Sequence, residues 1–340
     1  MHTLLQSYLT RAWPERRGLT VSNLNTLNLG WESDVYAFDA SWEGRAGPDA
    51  LVLRVYPGDD AYTKSANEYR NLKLLAAGGY PVPRVDLLER DDSPFGKPFL
   101  IMERIPGRTL WQPLFNESSE QTARLMPLFC GLFARLHAVD WRPAVPDPSV
   151  FEPGGPHAII ERQLAQWRPF AQAMPLPGFQ PAWRWLDENY RQVTSERASL
   201  IHWDFHPENI LLKPDGLDAV VIDWTNLDIS DYRFDLAWTL LLVGSNQGMQ
   251  WVGPILDGYQ RAAGHPVEDL AFFEAAAAAR RIFSVVGSVH FGAEKLGMRP
   301  DAVETMRRQA PALRLVYQIF QDRTGLQIPE AEAFLQDSGA

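Results

Sequence analysis

Cysteine is almost absent from this sequence. The chain of 340 residues contains one cysteine, Cys130, within the apolar stretch MPLFCGLFARL. A single thiol excludes an internal disulfide and any metal site built from several cysteines. We therefore expect Cys130 to pack as a small hydrophobic side chain.

Long hydrophobic runs are also missing. The longest uncharged apolar stretch, LAWTLLLVG near residue 240, is far shorter than the roughly 20 residues that span a bilayer. The first residues, MHTLLQSYLTRAWPERRG, reach charged side chains too early for the apolar core of a signal peptide. We expect a cytoplasmic protein that does not insert into a membrane.

Positive charge is the minority sign. The 32 lysines and arginines are outnumbered by 42 acidic residues, for a formal net charge of −10. This excess would repel the phosphates of nucleic acids and anionic membranes, so neither is an expected partner. The length allows two or three domains with substantial cores.

The N-terminal part of the sequence has strand patterns. SDVYAF and ALVLRVY are rich in β-branched and aromatic residues, and the Gly/Pro loop between them predicts a hairpin. DAYTKSANEYRNLKLLAAGG then has helical spacing and ends in two glycines. KPFLIMERIPG predicts a strand that runs into a Pro-Gly linker, where we place the boundary between residues 1–103 and 104–340.

The remainder of the chain is mostly helical in pattern. One β-rich segment interrupts the helices, LIHWDFHPENILLKPDGLDAVVIDW. Its KPDG sequence has turn chemistry, so NILL and AVVID should pair as a hairpin. The pattern predicts an α+β fold with a small β-rich N-terminal lobe and a larger helical C-terminal lobe.

Polar residues flank this predicted hairpin. Asn209 opens one strand and Asp223 closes the other, so antiparallel pairing would place them side by side. An amide oxygen beside a carboxylate suits Mg²⁺, which prefers oxygen ligands. Asp204, five residues before Asn209, could accept a proton from a hydroxyl group.

HWDFHPEN followed by VVIDW resembles the catalytic and metal-binding loops of the protein-kinase-like fold, in particular those of the aminoglycoside phosphotransferase and choline kinase group of small-molecule kinases. The resemblance implies a two-lobed kinase-like fold in which Asp204 is the catalytic base and Asn209 and Asp223 bind Mg²⁺. It also implies that His202 belongs to the catalytic loop and braces it, and that Asp235 hydrogen-bonds this loop from the next helix. The implied reaction moves the γ-phosphate of ATP or GTP to a hydroxyl group of a small molecule.

The same resemblance assigns nucleotide-binding residues in the N-terminal lobe. In LVLR, strand alternation puts Val52 and Arg54 on one face, where Val52 would cover the base and Arg54 would meet phosphates. Arginine replaces the lysine usual at this position, and the two side chains are not equivalent because a planar guanidinium does not mimic a point charge. Glu68 would tether Arg54, and Gly30 and Ser33 would belong to the loop over the phosphates.

The hinge between the lobes is expected in IMERIPG. Here Glu103 and Ile105 would offer backbone groups to a purine base.

Several of these residues have structural alternatives. Glu68 could complete a capping box in SANE with Ser65 as the N-cap. Arg54 could be a solvent-facing strand residue. Asp235 could serve only as a negative charge in the first turn of its helix.

Two other functions remain open at this point. His202, Asp204 and His206 have a spacing found in some zinc hydrolases, although those sites need further histidines. The replacement of lysine by Arg54 and the single glycine of the phosphate loop are also compatible with a nucleotide-binding protein of weak catalytic activity.

The acceptor substrate is the least defined part of the prediction. Acidic and aromatic residues of the helical part could bind a cationic acceptor, or could equally form solvated faces and core. They are Trp167, Trp183, Trp185, Glu188, Asp228 and Asp231.

Overall fold

The chain folds into two compact units, each made of two segments. The computed structural model describes residues 1–27, 33–151, 157–194, 197–293 and 302–337. The first unit comprises Met1–Thr109 and Ile210–Asn226, and the second comprises Leu110–Asn209 and Leu227–Ala340.

Ten strands are found in the described residues. In chain order they are β1 (Thr20–Leu27), β2 (Asp34–Ser41), β3 (Asp49–Val55), β4 (Val85–Glu89), β5 (Phe99–Glu103), β6 (Arg108–Thr109), β7 (Ala198–Ile201), β8 (Ile210–Leu212), β9 (Ala219–Val221) and β10 (Asp228–Asp231).

Twelve α-helices are found in the same residues. They are α1 (His2–Ala12), α2 (Ala61–Ala77), α3 (Trp111–Phe115), α4 (Ser119–Ala138), α5 (Ala158–Ala173), α6 (Gln180–Asn189), α7 (Tyr232–Gln247), α8 (Val252–Ala263), α9 (Leu270–Phe291), α10 (Ala302–Arg308), α11 (Ala310–Thr324) and α12 (Pro329–Asp337).

The first unit is built on an antiparallel sheet with the order β1-β2-β3-β5-β4. Strand β3 shows why the sequence alternates, since Leu51, Leu53 and Val55 are buried in a core that includes Leu5 and Leu9 of α1. The intervening residues face the other side of the sheet and are only half-buried. The predicted hairpin of β2 and β3 and the helix that follows it are confirmed.

The hairpin of β8 and β9 belongs to this same unit. β8 pairs with both β6 and β9, and the N–H of Val221 donates to the carbonyl of Pro81. The units therefore differ from the predicted division into 1–103 and 104–340. The first unit extends to Thr109 and also includes the later segment of residues 210–226. The reason is a non-local strand pairing, which local sequence patterns do not reveal.

The second unit is mainly helical, with one antiparallel pair formed by β7 and β10. Helix α7 is almost entirely buried, because α8, α9 and α11 pack against it. Cys130 of α4 is buried in this unit with its thiol directed at the carbonyl of Ile255, as expected for a packed residue. A β-rich unit and a larger helical unit confirm the predicted α+β class.

Within the described ranges, no helix combines the length and the apolar character needed to cross a bilayer.

Gly107, next to β6, is required by a close backbone approach. Its φ is +145°, and a Cβ atom there would lie 2.1 Å from the carbonyl oxygen of Leu212. We expect Gly107→Ala to lower the free energy of unfolding by about 2–3 kcal/mol, since strain and steric overlap act together. Urea denaturation of the whole chain measures this.

Gly131→Ala is the matched control, because its added Cβ would meet no atom within 4 Å apart from its chain neighbours and the backbone of its own helix, and the residue is inside α4. Alanine should stabilise the helix there by about 0.5–1 kcal/mol. Equal effects of the two substitutions would contradict the close approach at Gly107.

Candidate active site

The loop after β7 carries Asp204 and is attached to α7 by a buried carboxylate. Asp235 accepts hydrogen bonds from the backbone N–H groups of His202 at 2.7 Å and Trp203 at 2.9 Å. Trp203 has a φ of +67°, a region that costs a non-glycine residue about 1–3 kcal/mol. The prediction that Asp235 holds this loop agrees with these contacts, and they explain how the strained backbone persists.

One face of α7 supplies several supports of this loop. Asp235, Trp238 and Thr239 are spaced so that they lie on the same side of the helix. The indole N–H of Trp238 donates to Oδ1 of Asp204 at 3.4 Å, and the Thr239 hydroxyl donates to the carbonyl of Phe205 at 2.7 Å. The position of Asp204 is therefore determined by a rigid buried helix.

The surroundings of Asp204 favour its ionised form. Burial raises its pKa, but the neighbouring charge and hydrogen bond of His206, followed by His202 and Trp238, hold the pKa well below its usual range. Nε2 of His206 lies 3.2 Å from Oδ2, and the Asp204 side chain remains 42% exposed. Asp204 is thus a carboxylate at neutral pH and is accessible to a substrate.

His202 braces the loop from inside. Its ring is 1% exposed, and Nδ1 accepts the backbone N–H of Asp204 at 3.3 Å. This position fits a bracing role.

Asn209 is oriented by the same loop. Its Nδ2 donates to the backbone carbonyl of Asp204 at 3.0 Å and to Oδ2 at 3.2 Å. The amide nitrogen is therefore directed at Asp204, so the amide oxygen is the end left for another partner. An amide oxygen is the group that Mg²⁺ would require from this side chain.

In the first unit, Arg54 is the centre of a buried charge network. Nε donates to Oγ of Ser33 at 2.9 Å, Nη1 to Oε1 of Glu68 at 2.7 Å, and Nη2 to Oδ1 of Asp223 at 2.8 Å. Burial lowers the pKa of Arg54, but the two carboxylates more than offset this and raise it well above its usual value. The three acceptors lie around one planar fork, an arrangement that an ammonium group cannot reproduce.

Glu68 is held from several directions. Its side chain is 1% exposed, and besides Arg54 it accepts hydrogen bonds from the hydroxyl groups of Tyr56 and, at 3.3 Å, Thr225. Burial and the charge of Asp223 raise the pKa of Glu68, while Arg54 and the hydroxyl groups lower it, and burial is the strongest of these effects.

Asp223 is the exposed carboxylate of this network. Its side chain is 41% exposed and its φ is +67°. Two carboxylates, Glu68 and Asp223, face the guanidinium of Arg54, and Asp223 is the more exposed of the two. An exposed carboxylate oxygen is a ligand type that divalent cations such as Mg²⁺ prefer.

The other predicted nucleotide residues of the first unit occupy different positions. Ser33 is buried and bonded to Arg54, whereas Gly30 lies outside the described residues. Val52 shares the half-buried face of β3 with Arg54. The backbone N–H of Glu103 donates to the carbonyl of Arg84 at 2.8 Å, which commits that donor to the sheet.

Ile105 lies beyond the end of β5 and is half-buried.

The structural alternatives for Glu68 and Arg54 are wrong. Helix α2 begins at Ala61, so Ser65 is not an N-cap, and its hydroxyl donates to the carbonyl of Tyr62. Arg54 has an ion pair on each side and is only 12% exposed.

His206, which the sequence assigned only to the alternative zinc site, contacts the carboxylate of Asp204 directly. Its position two residues after the aspartate was the available signal.

Known proteins share the family and the fold of this chain. The model of the phosphotransferase enzyme family APH matches residues 23–271, and the chain belongs to this family. Mouse acyl-CoA dehydrogenase family member 10 is 29% identical over 200 residues, which cover 56% of this chain and 18% of the mouse protein. The match thus spans less than a fifth of that relative's length.

Solved structures share the fold. A Ralstonia eutropha protein assigned to the aminoglycoside phosphotransferases is 19% identical with a TM-score of 0.60, covering 99% of this chain and 98% of that chain. A spectinomycin phosphotransferase in complex with ADP and spectinomycin is 12% identical with a TM-score of 0.53, covering 98% of each chain. The family resemblance and fold class derived from the sequence are confirmed.

His206→Gln should raise the pKa of Asp204 toward the ordinary aspartate range, because it removes the neighbouring positive charge that most favours the carboxylate. Carboxyl ¹³C NMR during an acid titration measures this. His265→Gln, which changes an exposed histidine, is the control and should leave the titration of Asp204 unchanged. An unaltered Asp204 pKa in His206→Gln would show that His206 does not stabilise the carboxylate.

Arg54→Gln should lower the free energy of unfolding by about 3 kcal/mol, because Glu68 would be left as a buried, unpaired charge. The double variant Arg54→Gln/Glu68→Gln should be more stable than Arg54→Gln alone, since it removes that charge. Urea denaturation compares both with Arg45→Gln, which breaks a more exposed ion pair and should cost less than about 1 kcal/mol. Additive effects of the two substitutions would contradict a buried pair.

Proposed function

We propose that this protein is a small-molecule kinase that transfers the γ-phosphoryl group of ATP or GTP to a hydroxyl group of its acceptor. The observation that carries this proposal is the ionised, accessible carboxylate of Asp204, held rigidly by α7 within the segment that matches the phosphotransferase family. Phosphoryl transfer asks the protein mainly for positioning and charge neutralisation, which such a rigid loop can supply.

In this proposal Asp204 is the catalytic base. Its carboxylate orients the acceptor hydroxyl and takes up the proton as the oxygen attacks phosphorus. His206 keeps the carboxylate ionised, and His202 braces the backbone of the loop. The low pKa suits a reaction in which the proton leaves late, because the base then acts chiefly by orientation.

Asn209 and Asp223 are the proposed Mg²⁺ ligands. The amide oxygen of Asn209 is left available by the contacts of its nitrogen, and the carboxylate of Asp223 is exposed. When bound, the metal ion would neutralise charge on the phosphate oxygens. The chain's own contribution is to keep these two oxygen ligands ordered.

Arg54 is proposed to neutralise the phosphates of the nucleotide, with Glu68 fixing its orientation. The three acceptors around the guanidinium support arginine as a functional replacement for the usual lysine. Ser33, bonded to Arg54, and Gly30 are proposed to belong to the phosphate-covering loop.

The base of the nucleotide is proposed to contact Val52 and the backbone after β5. The N–H of Glu103 is already bonded, so this residue would offer its carbonyl, and Ile105 would provide the neighbouring backbone groups. Because ATP and GTP are cytoplasmic metabolites, we retain a cytoplasmic location as part of this proposal.

A zinc hydrolase receives no support from the described residues. His202 accepts the N–H of Asp204 and His206 bonds to its carboxylate, so the three side chains do not converge as ligands. No group of three or more His, Cys, Asp or Glu side chains suited to a metal ion occurs in the described part of the chain.

Nucleotide consumption by the purified chain, measured with ATP and with GTP against a panel of hydroxylated small molecules, tests the proposal. We expect acceptor-dependent release of ADP or GDP that requires Mg²⁺. Asp204→Asn should lower kcat by about 10²- to 10⁴-fold, because the variant loses the base. Its affinity for MgATP, measured by calorimetry, should remain.

Asp322→Asn, which changes an exposed acid on α11, should retain full activity. Turnover that survives in Asp204→Asn would remove Asp204 as the base. Nucleotide binding without turnover of any acceptor would favour the alternative of a catalytically weak nucleotide-binding protein.

A further inference from the structure

Two adjacent arginines of α9 lie close to Asp204. Five alanines precede them, Ala275–Ala279, and all five are buried. Small side chains allow helices to pack closely, and α9 packs against α7, the helix that supports the catalytic loop. Arg280 and Arg281 follow directly on this closely packed segment.

The guanidinium of Arg280 lies over the rings of two tryptophans that adjoin Asp204, Trp203 and Trp238. Its guanidinium carbon lies 4.4 Å from the ring centroid of Trp203 and 4.2 Å from that of Trp238. Trp203 immediately precedes Asp204 in the chain, and Trp238 donates a hydrogen bond to its carboxylate. A guanidinium is therefore within cation–π distance of both immediate partners of the catalytic base.

Neither cation forms a salt bridge within the described part of the chain, although the charge of Asp204 acts on both. Nη1 of Arg280 is buried without a hydrogen-bond partner there, and Nη2 of Arg281 donates only to the neutral amide oxygen of Gln309, at 3.3 Å. Asp235 and Asp204 attract Arg280, but both are occupied by other donors. Burial outweighs their attraction and lowers the pKa of Arg280 to about 10.

A buried donor without a partner is costly, so an orphaned guanidinium beside a catalytic group indicates a ligand. The ligand must be anionic, because it has to accept hydrogen bonds and compensate positive charge. Arginine stacked on aromatic rings is well suited to this, since stacking leaves the planar edge of N–H donors free for a carboxylate or phosphate.

We infer that the acceptor carries an anionic group, a carboxylate or a phosphate, which binds at Arg280 and Arg281 while its hydroxyl group faces Asp204. This inference rests on the proposed function and deepens it by naming the substrate class: hydroxy acids or hydroxylated phosphate esters. Arg280 is the principal contact, because its Nη1 is buried without a hydrogen-bond partner in the described part of the chain and its guanidinium lies over Trp203 and Trp238.

Several of the acidic and aromatic residues that could bind a cationic acceptor are instead engaged with other side chains of the fold. The acid Asp231 is buried in a two-point ion pair with Arg233. Trp185 stacks on Phe272, and Trp183 packs against the rings of Phe179 and Phe283. These side chains serve the core, which leaves the arginine pair as the better-defined binding group.

Acceptors that differ in charge test whether the site prefers an anionic substrate. Turnover with MgATP is measured for two matched pairs of acceptors, 3-hydroxybutyrate with its uncharged amide and glycerol 3-phosphate with glycerol. Ethanolamine is the cationic acceptor, and hydroxy acids of increasing length extend the first pair. We expect kcat/KM to be about 10- to 100-fold higher for an anionic acceptor than for its neutral counterpart. The two pairs distinguish a carboxylate from a phosphate.

Arg280→Gln should abolish this preference by raising KM for the anionic acceptor, with KM for ATP unchanged. Arg280→Lys, which keeps the charge but not the planar fork, should have an intermediate effect. Arg168→Gln, which changes an exposed arginine of α5, should behave as wild type. Thermal denaturation verifies that each variant is folded.

Two results would overturn the inference while leaving the kinase function intact. One is phosphorylation of neutral or cationic hydroxyl compounds in preference to the anionic ones. The other is an equal loss of kcat/KM for the acid and its amide in Arg280→Gln. That result would mean that Arg280 contacts the transferred phosphoryl group and not the anionic group of the acceptor.

A nucleotide-free binding measurement separates failure of the inference from failure of the kinase function. The fluorescence of the tryptophans next to Arg280 is followed during titration with the same acids and amides. Binding of an acid to wild type but not to Arg280→Gln supports the anion site even if no acceptor is phosphorylated. Equal or absent binding of acid and amide overturns it.

Discussion

The buried carboxylate of Asp235 is the contact on which the geometry around Asp204 depends. Burying a charge is tolerated only when donors satisfy it, and here two consecutive backbone N–H groups of the loop that carries Asp204 donate to the carboxylate, while Nε2 of His137 contacts it at 3.4 Å. They hold Trp203 in a left-handed conformation that would otherwise relax. Because the Trp203 ring lies under Arg280, the same anchor orders both the proposed base and the proposed anion-binding group.

A comparable constraint operates in the first unit. Glu68 is almost inaccessible, so its charge requires a close cation and further donors, which Arg54 and two hydroxyl groups provide. The planar guanidinium reaches Glu68 and Asp223 at the same time. The structure therefore accommodates arginine in place of the usual lysine, because three acceptors lie around its planar guanidinium.

Local patterns predicted the local elements well. The alternation in LVLR placed Arg54 on the accessible face of β3, and the KPDG turn predicted the pairing of β8 with β9. The capping box at Ser65 failed because the helix begins a turn earlier, at Ala61. The division between units also departed from prediction, since the pairing of β6 with β8 joins segments far apart in the chain, and no local signal encodes such a pairing.

The sequence by itself determined the family, because the acids and the amide of the HWDFHPEN and VVIDW segments occur in a fixed order and spacing. It also determined that Asp204 has histidines on both sides. Only the tertiary structure decided that His206 is the closer electrostatic partner and that Arg280 lies against Trp203 and Trp238. The physical reason is that the electrostatic environment of a side chain depends on which helices pack together. The packing of α9 against α7 joins segments far apart in the chain, and residue spacing does not encode it.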